Sequence, residues 1–244
     1  MSDRPSIAVI DYRKGNLSSV ARGLARAGAD PIVTDEPDAI RQADGLLLPG
    51  VGSFYDAITF MVESGEAEAV LDKVAAGTPF LGICLGMQLL FDRGDEGVPL
   101  DVPTAAADGP LGSNLPAGTV FEADGTRWVR GLGALRGSCT RLDGRRLKVP
   151  HVGWDQVHLT GAAARSPLLG DFPEGANMYF THSYAVDSDV EAADVAAVTH
   201  YTASFASSVA HGRVFGCQFH PEKSSTRGLH ILKNYVSIVE GARA

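Results

Sequence analysis

Three short stretches bring together side chains able to do covalent chemistry. In Gly82-Ile83-Cys84-Leu85-Gly86-Met87-Gln88 a cysteine stands between two glycines where an apolar run gives way to a helical pattern. This is the arrangement of a nucleophile elbow with sulfur in place of oxygen: small neighbours let the turn tighten, and N–H groups at the start of the following helix favour thiolate and can hold an oxyanion. Taken alone, an inert buried cysteine fits as well, because free cysteine is among the most buried residue types. Phe219-His220-Pro221-Glu222 closes a second apolar run. In extended chain, residues two apart share a face, so Glu222 can lie against the His220 imidazole and fix its tautomer, as in a Cys-His-acid triad. A strand-end histidine beside a surface glutamate would read the same. Leu48-Pro49-Gly50-Val51-Gly52-Ser53-Phe54 is the third stretch. Its glycines let a backbone N–H turn toward Cys84 as a second oxyanion donor.

The elements that must carry these residues alternate along the first 90 positions between β-rich runs and amphipathic stretches, the pattern of a parallel sheet flanked by helices. Strands are predicted at residues 6–10, 31–34, 45–48 and 79–83. Helices are predicted from Leu17 to a stop near Gly28, with Asn16 as N-cap, over 57–62 and 67–76, and beginning again at 87–91. Ligands gather at the carboxyl edge of such a sheet, so the Gly50/Gly52 loop and Cys84 should be neighbours. From Asp92 to about Arg130 the composition turns to Gly, Pro, Asp and Ala, with prolines at 99, 103, 110 and 116, and the segment reads as loop or insertion. Beyond it, shorter and more antiparallel strands are predicted at 135–142, 156–159, 178–181, 195–199, 205–210 and 214–219. A final helix carries Leu229, Leu232, Tyr235, Val236 and Val239 on its packing face.

Composition narrows the function. A chain of 244 residues with 45% hydrophobic and 20% charged residues is an ordinary globular one, and its net charge of −8 with no basic block speaks against nucleic acid. No window reaches the roughly 18 apolar residues of a membrane span, and the first apolar run is too short for a signal peptide. A soluble, cytoplasmic protein is expected. Three scattered cysteines, Cys84, Cys139 and Cys217, suit neither a disulfide framework nor a zinc site. No dinucleotide fingerprint is present, since Tyr55 stands where its last glycine would be, and there is no phosphate-binding P-loop. No metal and no cofactor are expected.

Together and in this order, Pro-Gly-Val-Gly, Gly-x-Cys-x-Gly-x-Gln and His-Pro-Glu resemble the class I glutamine amidotransferases. Further matching phrases are Ile10-Asp11-Tyr12 with Gly15-Asn16-Leu17, Val149 to Trp154, Tyr179 to Tyr184 and Gly216 to Ser225. The resemblance covers nearly the whole chain and implies one amidotransferase domain over 1–244, interrupted by an insertion at about 97–127. It implies an α/β, flavodoxin-like fold: an open, mostly parallel central sheet flanked by helices, with an antiparallel extension. It further implies that Cys84 attacks the side-chain amide of L-glutamine, that His220 serves as base and acid, and that Glu222 orients His220. Backbone N–H groups of Val51, Gly52 and Leu85 would stabilise the oxyanion, Gln88 would hold substrate, and the Ser183 and Tyr184 backbone would bind its carboxylate. Within the family, the flanking phrases resemble the branch whose ammonia passes to a separate (β/α)8-barrel cyclase subunit, with Trp154, Tyr179 and Lys223 as contact candidates. Arg13 and Lys14 depart from the small residues of that family, and Asp155 from its asparagine. A related amidotransferase feeding another synthase, a stand-alone cysteine hydrolase and a non-catalytic subunit are the other readings.

Overall fold

The computed structural model describes residues 4–145 and 147–243. In chain order the elements are β1 (Ser6–Ile10), α1 (Leu17–Ala27), β2 (Asp30–Thr34), α2 (Pro37–Gln42), β3 (Gly45–Gly50), α3 (Phe54–Ser64), α4 (Glu66–Ala75), β4 (Phe80–Cys84) and α5 (Leu85–Gln88). Then come β5 (Phe91–Gly94), β6 (Val120–Ala123), β7 (Thr126–Arg130), β8 (Leu135–Arg141), β9 (His151–Leu159), β10 (Ala176–His182) and β11 (Tyr184–Val186). The chain ends with β12 (Val195–His200), β13 (Ser204–His211), β14 (Val214–Cys217) and α6 (Ser225–Arg243), with short 3-10 turns between some of them.

Nine strands form one sheet in the order β10-β9-β12-β13-β14-β4-β3-β1-β2. The half from β2 to β14 is parallel, and β13, β12, β9 and β10 extend it antiparallel, as expected. Alternation along the strands builds a core on each face. Ala8, Leu46, Leu48 and Phe80 pack with Ile58, Met61 and Val70 of α3 and α4, whereas Ile7, Val9, Leu47, Leu81 and Ile83 pack with Val20 and Leu24 of α1 and Leu232 and Val236 of α6. α1 stops where the sequence says it should: Gly28 adopts φ 110° and its N–H reaches the Ala25 and Leu24 carbonyls.

Three expectations are corrected. The helix predicted to begin at 87–91 is a single turn, Leu85–Gln88, because the carbonyls of Leu89, Leu90 and Asp92 are taken by the N–H groups of Leu132, Leu135 and Gly131. The segment read as loop holds β5, β6 and β7, which belong to a second, five-stranded sheet of order β11-β8-β5-β7-β6. The β6–β7 hairpin turns at Asp124-Gly125, with φ of 53° and 73°, an Asp-Gly type I′ signal that alternation in Val-Phe-Glu-Ala and Thr-Arg-Trp-Val-Arg should have exposed. Residues 98–119 carry little regular structure, yet they are tied to this sheet: Arg127 donates to the Pro99 and Val102 carbonyls and Arg93 to that of Pro110. Two short elements, α2 and β11, had no sequence counterpart. Glu222 also sits in a 3-10 turn, Pro221–Lys223, rather than on an extended strand, whereas His220, the residue before that turn, keeps extended backbone angles of φ −101° and ψ 96°.

Glu66 begins α4 fully buried, and neither carboxylate oxygen finds a hydrogen bond. Burial raises it to about 7. A carboxyl raised in the folded state contributes its stability below its unfolded value, and that contribution is lost as pH rises through 7. Glu66→Gln is therefore expected to gain about 1–2 kcal/mol above neutrality and little in acid. Thermal melts of both proteins at acid and alkaline pH check this.

Candidate active site

β1, β3, β4 and β14 all end at one edge of the large sheet, and the chain leaving each of them contributes to one cluster. Gly50 and Cys84 are register partners in β3 and β4. Cys84 takes φ 55° and ψ −112°, a conformation that side chains adopt only where the surroundings over-determine it. The glycines around it are a packing requirement. A Cβ on Gly86 would lie 1.8 Å from the Leu48 carbonyl oxygen, and one on Gly82 would lie 2.5 Å from that of Gly86. The one-turn helix thus rests backbone to backbone on β3 and β4, which aims Cys84 along the sheet edge.

Cys84 is buried, with its Sγ 3.9 Å from the Thr181 carbonyl oxygen and accepting a hydrogen bond from Gln218 Nε2 at 3.5 Å. His220 lies at the end of the neighbouring β14, its N–H bonded to the Tyr179 carbonyl and its carbonyl to Ser224 Oγ. Its Nδ1 is 2.9 Å from Glu222 Oε1, and its buried Nε2 makes no hydrogen bond of ordinary geometry. Burial opposes a charge on this ring, but the nearness of Cys84 and the hydrogen bond to Glu222 outweigh it and raise His220 to about 9. The imidazole therefore holds a proton at neutral pH.

A cavity of about 270 Å³ opens in front of Cys84. Val51, Gly52, Leu85, Gln88, Ser183 and Tyr184, named from the sequence, all line it, together with Glu96, Pro150, Thr181 and His182. Gln88 is not free: Nε2 donates to the Tyr184 carbonyl at 2.8 Å and to Gln218 Oε1 at 2.9 Å, so it braces the cavity wall. The Val51 N–H is turned away from Cys84. It donates to the Tyr12 hydroxyl at 3.0 Å, against the expectation of an inward donor, because the buried phenol fills the space behind Gly50, where a Cβ would meet it at 2.5 Å. Lys14 covers the other side of this loop, pairing with Asp56 at 2.9 Å, with its stem 2.9 Å from where a Gly52 Cβ would stand. Arg13 lies over the Phe60 ring at 5.4 Å.

Tyr12, Gln218, Glu96 and His182 were not singled out as site residues. Gln218 could have been, since it stands two positions before His220. Glu96 could not, because it falls where only loop was read; burial raises it to about 7, and it accepts the Phe54 N–H at 3.2 Å. Trp154, Tyr179 and Lys223 gather outside the cavity: Trp154 is 56% exposed, its ring 6.0 Å from that of Tyr179, and Lys223 Nζ lies 5.7 Å from the centroid of the same Tyr179 ring. Cys139 and Cys217 are buried, and burial pushes both thiols up. Among the described residues, no group of three or more His, Cys, Asp or Glu is arranged as metal ligands.

The family model described as glutamine amidotransferase class-I matches residues 8–238. The chain is 41% identical over 243 residues to the imidazole glycerol phosphate synthase subunit HisH of Geobacillus sp. (strain WCH70), covering 96% of this chain and 98% of that one. It is 40% identical over 240 residues to the HisH subunit of Halalkalibacterium halodurans (strain ATCC BAA-125 / DSM 18197 / FERM 7344 / JCM 9153 / C-125), covering 96% of each. Among solved structures, the glutaminase domain of a Trypanosoma brucei CTPS with bound acivicin superposes with TM-score 0.60 at 17% identity, covering 98% of this chain and 94% of that one. A structure titled glutamine amidotransferase gives TM-score 0.61 at 17% identity, covering 96% and 98%. At these identities the two structures speak for the fold.

Proposed function

The chain belongs to the class-I glutamine amidotransferase family, and from that premise we propose that it is the glutaminase subunit of an imidazole glycerol phosphate synthase, working in a heterodimer in histidine biosynthesis. The observation that carries the reading is the Cys84–His220–Glu222 arrangement beside the cavity that Cys84 lines, in a chain about 40% identical to HisH subunits along its whole length. The whole of 1–244 acts as one amidotransferase domain. No described helix is long and apolar enough to cross a membrane, and we place the complex in the cytoplasm.

The Cys84 thiolate attacks the side-chain amide carbon of L-glutamine, and the carbonyl electrons move onto oxygen. The Leu85 N–H, the first of the helical turn, stabilises that oxyanion. Protonated His220 gives its proton to the departing nitrogen, so ammonia leaves and a thioester remains. His220, now neutral, takes a proton from water as the water attacks the thioester, and glutamate and the thiolate are released. Glu222 keeps Nδ1 engaged so that Nε2 is the nitrogen that works in both halves. Gln88 and the Ser183–Tyr184 backbone hold the amino-acid end of the substrate. Ammonia then passes through a protected channel to a cyclase subunit, a (β/α)8 barrel. There it reacts with a phosphoribulosyl formimino intermediate to give imidazole glycerol phosphate and an aminoimidazole carboxamide ribotide. The exposed Trp154, with Tyr179 and Lys223, lies on the face we assign to the cyclase.

The test is co-expression with a barrel cyclase. The two chains are expected to co-purify in equal amounts and to form imidazole glycerol phosphate with glutamine as nitrogen donor. A complex that uses free ammonium but never glutamine would overturn the proposal.

A further inference from the structure

His151 and His182 are direct register partners on β9 and β10 and take no part in the triad. His151 Nδ1 lies 3.2 Å from His182 Nε2. His182 Nδ1 lies 2.8 Å from the Tyr184 carbonyl oxygen, and His151 Nε2 lies 3.3 Å from Asp155 Oδ2. Both rings are buried, whereas the Asp155 side chain is 29% exposed. The two ends of this chain of contacts, a carboxylate and a carbonyl, can only accept. Each end therefore takes a ring N–H, and the nitrogen-to-nitrogen contact takes another. That makes three hydrogens on four ring nitrogens, and two neutral imidazoles own only two.

We infer that Asp155, His151 and His182 form a relay holding one surplus proton, and that this relay positions the Tyr184 carbonyl at the wall of the glutamine cavity. Asp155 and His151 are positioning residues that act through His182. The charge rests on His151, whose ring lies between Tyr201, 4.0 Å away at 15°, and Phe180, 4.9 Å away at 17°. Aromatic faces attract a cation, and Asp155 supplies the counter-charge. His182 is the unfavourable place for it: burial pushes that ring down to about 3, and His151 and His220 face it as further positive groups. The same Tyr184 carbonyl accepts Gln88 Nε2, so the relay ends on a group that also braces the substrate site.

Burial lowers His151 from its ordinary 6.5 against the pull of Asp155. The surplus proton is accordingly held on the acid side of that value and lost as pH rises. Two hydrogens then serve three contacts: Asp155, as the charged acceptor, keeps the His151 Nε2–H, and His182 turns its single hydrogen to the bared His151 Nδ1, because the Tyr184 carbonyl still has Gln88 as a donor. His220, raised to about 9, keeps its proton throughout this window and adds no step. Asp155→Asn removes the need for the extra proton: its amide donates to His151 Nε2, and two neutral rings then satisfy every contact.

The proton count is read by imidazole nitrogen-15 NMR on the full chain, with His151→Gln and His182→Gln assigning the rings. The wild type is expected to show three protonated nitrogens of the four at about pH 5 and two at about pH 8. Asp155→Asn is expected to show two at both. Two in the wild type at the acid pH, which needs no variant to observe, or three in Asp155→Asn, would overturn the relay. The kinetic consequence rests on the glutaminase reading above; the proton count does not. Glu96, raised to about 7 in the wall of the same cavity, titrates within this window in both proteins. In the complex with the cyclase, the wild-type rise in KM for glutamine across the window is therefore expected to exceed that of Asp155→Asn by about fivefold, the worth of one hydrogen bond. Equal rises in the two proteins would overturn the positioning role.

Discussion

Replacing Cys84 with alanine is expected to lower glutamine hydrolysis by about 10⁴- to 10⁶-fold, since the members of a nucleophilic triad act as a unit and the loss of one removes most of what all of them supply. Cys84→Ser should fall nearly as far. A serine hydroxyl gives up its proton far less readily than a thiol, and His220, held protonated in the wild type by Cys84 and Glu222 against its burial, loses the first of these partners in the variant, so the site is not tuned to activate a hydroxyl. Glutamate release and trapping of the thioester measure both variants. Stability separates chemistry from folding. Cys84 holds φ 55° and ψ −112°, which costs a side-chain-bearing residue about 1–3 kcal/mol. Cys84→Gly should therefore be as inactive as alanine yet melt several degrees higher than the wild type. A serine variant that releases glutamate at the wild-type rate would sink the assignment of Cys84 as nucleophile.

Engaging the liganded cyclase is expected to raise glutamine turnover by about 10²- to 10³-fold, the value of one oxyanion donor. In the free chain the Val51 N–H is engaged by the Tyr12 hydroxyl at 3.0 Å and is not available to an oxyanion at Cys84. Burial, the Cys84 charge and nearby carboxylates push the Tyr12 phenol above its ordinary value, so the hydroxyl stays neutral and keeps its hold at any working pH. Freeing Val51 requires a peptide rotation for which Gly50 and Gly52 flank the hinge, with Gly52 already at φ 109°. Tyr12→Phe removes the acceptor. Its partner-free turnover is expected to rise about tenfold, and the activation by cyclase to shrink by the same factor. Steady-state rates of both proteins, alone and with the liganded cyclase, decide the matter. Equal turnover with and without the partner in the wild type would reject release of the Val51 N–H as the source of activation, and an unchanged activation ratio in Tyr12→Phe would remove Tyr12 from it.

Much of the site was legible from the chain alone because its key groups are carried by short-range chemistry. Cys84 is specified by two glycines within two positions, and Glu222 meets His220 across a single proline, so spacing suffices even though the turn proved to be 3-10 rather than extended. The alternation of β runs and amphipathic stretches likewise determined the parallel half of the large sheet, since periodicity encodes which face is buried. The second sheet was not legible as a sheet: β5 is four residues long and is completed by partners up to 45 positions away, and the same partners stop the helix after Gln88.

What only the tertiary structure decided is where individual hydrogens point. The Val51 N–H could face Cys84 or Tyr12, and a buried phenol 39 residues away took it. His151 and His182, each unremarkable in its own strand, meet across a register that also brings Asp155 within reach. The physical reason is common to these cases. Residue type and spacing set the shape and burial of a backbone element, but the partner of each polar group is settled by long-range packing that no local pattern contains. In this protein the sequence by itself determined the glycine-flanked turn that carries Cys84 and the pairing of His220 with Glu222, and the tertiary structure decided the orientation of the donors and protons around them.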